Sequence, residues 1–264
     1  MTLSEKVRLL SGSGSGMSLA AIKRLGIPPI RCSDATLGIV EWGPSTAYPA
    51  APCLTSSWNR KLARLEGRHI GMDARAKHVG ILLGPGLNIL RQPQNGRSME
   101  YIGGEDPFLA AQMVVPYVQG LQSEDVAACC KHFVGNEIET MRPWINCIIS
   151  RRALEEIYLP PFRAAVRQGH AWSLMAACNR VNGHYAGANA FNPDYSRSSR
   201  QLLHMHGCRC VGGMDAGFLR LWAEGPLTPI GRSGCDGFRQ WSERCWNVRR
   251  PADRNATRAS CRRV

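Results

Sequence analysis

VAACCKHF, residues 126–133, is apolar from Val126 to Cys130 and then turns abruptly to Lys131 and His132. A short run without alternation of polar and apolar positions reads as a strand covered on both faces. Its polar end reads as the point where the strand meets a loop, and the form recurs. IPPIRC (27–32) leads into Ser33 and Asp34, and VGILLGPGLNI (79–89) carries Asn88 and is followed by Arg91 and Arg97. AWSLMAAC (171–178) leads to Asn179 and Arg180, and APCLTSSW (51–58) is expected to be a further strand.

Helical patterns fill the intervals. Residues 59–77 have Asn59 as a candidate N-cap before Leu62, Ala63, Ile70 and Ala74. Residues 107–122 open at Pro107 behind Glu105 and Asp106, with a kink expected at Pro116. Residues 150–168 begin at Ser150 and set Leu154, Ile157, Tyr158 and Phe162 roughly on one face. Strands alternating with helices through short connections predict parallel βαβ units. In a closed barrel the polar strand ends converge on one face. An open doubly wound sheet would show a Gly-rich phosphate turn after its first strand. SGSGSG (11–16) precedes the first strand and reads as a flexible loop. The expected fold is therefore α/β, an incomplete (β/α)8 TIM-type barrel over residues 1–191.

Composition narrows the function classes. The chain has 264 residues, 44% of them hydrophobic and 20% charged, which excludes collagen-like, coiled-coil and wholly disordered proteins. No apolar run approaches the roughly 18 residues a spanning helix needs. MTLSEKVRLLSG places Glu5 and Lys6 where a secretion signal needs apolar residues, so a cytoplasmic location is expected unless a leader lies upstream. The net charge of +13 is uneven: residues 192–264 hold 13 Arg, no Lys and six acids, with five of the 11 Cys and three of the seven Trp. That segment shows no helical or strand period and reads as a divergent tail. Its composition also matches a GC-rich gene translated out of frame. A basic tail can bind nucleic acid, but this is the less favoured reading. The cysteine spacings suit neither zinc nor a disulfide framework, and no metal or cofactor is expected.

Six strings taken in order carry a resemblance: SDATLG (33–38), GPGLNILRQP (84–93), NGRSMEYIGGEDP (95–107), KHFVGNEIET (131–140), EEIYLPPF (155–162) and NRVNG (179–183). Together they resemble the N-terminal barrel domain of glycoside hydrolase family 3, and in particular its β-glucosidases, over residues 1–191. The resemblance implies a retaining hydrolase of terminal β-linked glucose, with a carboxylate nucleophile and a separate carboxylic acid/base. By the same resemblance Asp34, Arg97, Lys131 and His132 hold the sugar. A carboxylate suits that work because it accepts two charge-assisted hydrogen bonds from neighbouring hydroxyls. Arg91 reads either as support for Arg97 or as a structural ion pair, and Glu137 and Glu139 as loop or ion-pair residues.

Three departures stand beside it. Cys178 occupies the position of a family tyrosine and cannot supply the phenol's hydrogen bond. The nearest equivalent of the nucleophile is Asp215 in GCRCVGGMDAG (207–217), where Arg209 and Gly212-Gly213 make a poor buried strand and Ala216 replaces a tryptophan. The acid/base glutamate comes, in two-domain relatives, from a following α/β domain expected to be missing here. A partner chain would then have to supply it. The single-domain β-N-acetylhexosaminidase branch uses a loop histidine instead, and this chain has Asn136 there. A fragment without the acid is expected to be an impaired enzyme. The alternative is a non-catalytic sugar-binding or pseudogene-like remnant.

Overall fold

A computed structural model of the chain describes residues 1–10, 17–189 and 203–204. The strands, in chain order, are β1 (Ser18–Leu19), β2 (Ile30–Asp34), β3 (Val79–Leu83), β4 (Ala127–Phe133), β5 (Asn146–Cys147), β6 (Ser173–Ala176), β7 (Arg180–Val181), β8 (His184–Tyr185) and β9 (Leu203–His204). The helices are α1 (Leu3–Leu10), α2 (Ala51–Ser56), α3 (Arg60–Ala76), α4 (Pro107–Gln122), α5 (Arg151–Ala153) and α6 (Pro160–Arg167). Asp215, most of the expected tail and the SGSGSG stretch lie outside the described residues.

Strands β2, β3, β4, β6 and β9 pair in that order, all parallel, and β1 adds antiparallel to β2. This is the sheet of an incomplete (β/α)8 barrel, with helices laid between β2 and β3, β3 and β4, and β4 and β6. The apolar runs read as strands covered on both faces, and β4 is buried from Ala127 to His132. A separate three-stranded sheet of β5, β7 and β8 is built from the segments that follow β4 and β6.

Residues 51–58 correct the expectation of a strand. Pro52 stands in the first turn of a helix, where its missing N–H costs nothing. Ala51, Leu54 and Thr55, spaced as one helical face, are the buried positions. Length alone could not separate a short buried helix from a short buried strand.

The predicted cap at Asn59 forms, and Asp106 caps the next long helix. The Asn59 side chain accepts hydrogen bonds from the backbone N–H groups of Lys61 and Leu62, and Asp106 accepts those of Phe108 and Leu109. Pro116 lies inside α4, which runs on to Gln122. The third helical region is α5 followed by a π-helical turn over Leu154–Tyr158 and then α6, with Ser150 capping Ala153. Helices α3 and α4 pack backbone to backbone. A Cβ on Gly67 would lie 2.2 Å from the Tyr117 carbonyl oxygen, and one on Gly120 would lie 2.1 Å from that of Arg64. Between this helix pair and the sheet lies the core, which includes Ile70, Leu82, Val114, Val118, Leu121 and Cys130.

Candidate active site

The C-terminal ends of β2 and β4 and the loop after β3 deliver the polar side chains to one place. Lys131, at the end of β4, is 1% exposed, yet its Nζ is 2.8 Å from Asp34 Oδ1 and 3.0 Å from Glu100 Oε2. A buried ammonium is tolerated only with such partners. Asp34, ending β2, keeps a side chain that is 47% exposed. Glu41 holds the strand end in place: its Oε2 accepts from Ser33 Oγ at 2.6 Å and from the Asp34 backbone N–H at 2.9 Å.

Arg97 arrives on the loop between β3 and α4. Asn95 shapes that turn, its Oδ1 accepting from the Arg97 N–H at 3.1 Å and its carbonyl from Ser98 Oγ at 2.6 Å. Arg97 Nε donates to Glu100 Oε1 at 2.5 Å, and its NH1 is 3.9 Å from Glu139 Oε1. Burial lowers the Arg97 guanidinium's affinity for its proton, but Glu100 and Glu139 more than restore it. Burial likewise pushes the Glu100 carboxyl up, and Lys131 and Arg97 together overcome this and hold it below its ordinary value.

His132 is fixed through its backbone. Asn88 Nδ2 donates to the His132 carbonyl at 3.0 Å, and Asn88 Oδ1 accepts from the His132 N–H at 2.9 Å. Burial, with Arg97, Lys131 and Arg142 nearby, drives the imidazole well below its usual pKa and keeps it neutral. A neutral ring offers one donor and one acceptor, and its buried Nδ1 has no hydrogen-bond partner among the described residues.

The structure thus brings Asp34, Arg97, Lys131 and His132 together, whereas Asp215 lies outside the described residues. Glu139 is an ion-pair residue, 2.8 Å from Arg142 NH1, and it also accepts from Asn136 Nδ2 at 2.8 Å. Arg91 is exposed and acts on Glu137 and Tyr158. Glu137 is the loop residue of the two expected roles, not the ion-pair one. It is 7% exposed, neither oxygen has a hydrogen-bond partner among the described residues, and burial pushes its carboxyl up to about 8 despite Arg91 and Asn88 nearby. The residue that sequence reasoning missed is Glu100, which touches both cations. The available signal was its spacing three residues after Arg97, which one turn of 3-10 helix over Ser98–Glu100 turns into contact. Among the described residues no group of three His, Cys, Asp or Glu side chains could hold a metal ion, and no helix there is long and apolar enough to cross a membrane.

Polar side chains gathered at the strand ends of a parallel αβ sheet mark a barrel-type domain. The glycosyl hydrolase family 3 N terminal domain matches residues 10–197, and the chain belongs to that family. It is 47% identical over 199 residues to a β-glucosidase of Bacteroides ovatus, covering 70% of this chain and 26% of that protein. It is 36% identical over 202 residues to an exo-α-(1→6)-L-arabinopyranosidase of Bifidobacterium longum, covering 72% and 26%. The structure of β-glucosidase 3B from Thermotoga neapolitana in complex with glucose matches with a TM-score of 0.68 and 37% identity, over 72% of this chain and 30% of that one. The chain spans about a quarter of the length of the curated relatives it matches.

Proposed function

We propose that this chain carries the sugar-holding part of a retaining β-glucosidase and binds the terminal β-linked glucose of its substrate. One observation carries the reading: Asp34, Arg97, Lys131 and His132, from three separate segments of the chain, meet in one polar cluster whose Asp34 carboxylate is half-exposed. Names and a bound glucose among the relatives support it. Asp34 accepts from two adjacent hydroxyls, and Lys131, Arg97 and His132 supply hydrogen bonds to the others. Charge-assisted hydrogen bonds of this kind are the strong ones.

In this reading residues 1–191 form the barrel part, residues 192–264 form a divergent segment, and Asp215 attacks the anomeric carbon to give a glycosyl-enzyme. The leaving oxygen then needs an acid from a separate domain or a partner chain. Without one, turnover falls by about 10²–10⁴-fold. Aryl glycosides, whose leaving groups need little protonation, lose least.

The test is the thermal stability of the purified chain against glucose concentration, since a ligand specific for the folded state raises the melting temperature. We expect glucose to stabilise the wild type and Asp34→Asn to weaken this about tenfold in affinity. No stabilisation, or an undiminished response in the variant, would refute the reading. Asp215→Asn should separately abolish turnover of an aryl β-glucoside.

A further inference from the structure

Lys131 and Arg97 come from different segments, and one carboxylate within the cluster touches both. Glu100 Oε2 is 3.0 Å from Lys131 Nζ, and Glu100 Oε1 takes Arg97 Nε at 2.5 Å. Thr36 Oγ1 donates to the same Oε2 at 3.3 Å. Its own backbone is delivered by a glycine. Gly86 bridges to both Tyr101 and Lys131, and its carbonyl accepts from the Ile102 N–H at 2.9 Å. A Cβ at Gly86 would lie 2.7 Å from the Glu100 carbonyl oxygen, so only glycine leaves room for the segment there.

We propose that Glu100 is a positioning and specificity-determining residue: it fixes Lys131 against Arg97 so that one sugar meets both, and it cancels their charge so that the sugar is uncharged. The inference rests on the sugar-binding reading above. The cluster's ion pairs join Asp34, Glu100 and Glu139 to Lys131, Arg97 and Arg142, three carboxylates to three cations, with Glu41 behind Asp34 as a further carboxylate. Such a site offers no net attraction to a sugar acid. Deleting one carboxylate leaves a cation unanswered beside the pocket, and specificity shifts toward a ligand that brings its own negative charge.

The experiment measures binding of glucose and of glucuronate, which carries a carboxylate at C6, by calorimetry with the full chain. The proteins are wild type, Glu100→Gln and Glu100→Asp. Wild type is expected to prefer glucose. Glu100→Gln should bind glucose about tenfold more weakly and raise the glucuronate-to-glucose affinity ratio by about tenfold. Glu100→Asp keeps the charge but is one methylene too short to reach both cations. It should weaken glucose while leaving the ratio unchanged. A loss of both sugars in parallel in Glu100→Gln, or unchanged glucose affinity in both variants, overturns the proposal. Should Glu100→Gln fail to fold by circular dichroism, Glu100→Asp decides, and unchanged glucose affinity there overturns it. A wild-type chain that binds no glucose refutes the glucosidase reading and this role with it, whereas a binding wild type with indifferent variants refutes the role alone.

Discussion

Glu100 and Glu137 are two glutamates withdrawn from water within the same strand-end region, and their environments are opposite. Glu100 has a cation on each oxygen and its carboxyl sits below the ordinary value; Glu137 has no ion-pair partner among the described residues and rises to about 8. Burial works in the same direction on both. What differs is the company, and two paired cations outweigh desolvation where Arg91 alone does not. A buried carboxylate is therefore kept ionised only when its counter-charges are present.

The contrast can be broken most severely at Lys131. Lys131→Met strips Glu100 of one cation and Asp34 of its neighbour, leaving buried charge uncompensated. We expect a loss of about 3–5 kcal/mol in urea unfolding at neutral pH, together with sugar binding. The same substitution should hardly alter whatever stability depends on Glu137.

Next comes pH. The carboxyl of Glu137 rises from 4.5 unfolded to about 8 folded, so the folded chain binds its proton more tightly. Its contribution is fully present below about pH 4.5 and is lost as pH rises toward 8. At about 1.4 kcal/mol per unit the whole effect is a few kcal/mol. Glu66, raised by burial to about 7, has the same sign. Glu137→Gln should therefore flatten part of the alkaline decline in a stability-versus-pH series, and an unchanged slope would contradict the assignment. Glu100 runs the other way. Its folded carboxyl is held down, so its stabilisation is present above about pH 4.5 and is lost as pH falls through the folded value. Glu100→Gln should flatten the acid limb alone.

Gly86→Ala sharpens the comparison at smaller amplitude. The added methyl presses on the Glu100 carbonyl, and such overpacking costs about 1–3 kcal/mol. Weakened glucose stabilisation should accompany it, whereas the pH dependence from Glu137 should persist. The smallest effect is Asn59→Ala, which removes a cap remote from both glutamates. It should lower stability by about 1 kcal/mol and leave sugar binding untouched.

Much of this was legible from residues alone. The runs ending in Asp34, Lys131 and Asn179 are strands because their apolar letters lack alternation, and Asn59, Asp106 and Ser150 cap helices as their chemistry dictates. The convergence of Asp34, Arg97, Lys131 and His132 follows from parallel strands that share one end. Other features were hidden for physical reasons. Glu100 looks like any charged residue until Gly86 brings its segment against β4, a tertiary contact with no local signature. Glu137 and Glu139 stand two residues apart and read alike, yet one is buried with no ion-pair partner among the described residues and the other pairs with Arg142. Residues 51–58 fit two buried conformations equally well, and only packing chooses between them.

Lysine is among the floppiest of side chains, and freezing its four methylenes carries an entropy cost of up to about 2 kcal/mol. Lys131, enclosed along its stem and tethered at its tip, loses that freedom when the polypeptide folds. Under the sugar-binding proposal, an arriving ligand would meet a donor already aimed, without the ordering penalty that a surface lysine would impose on each binding event.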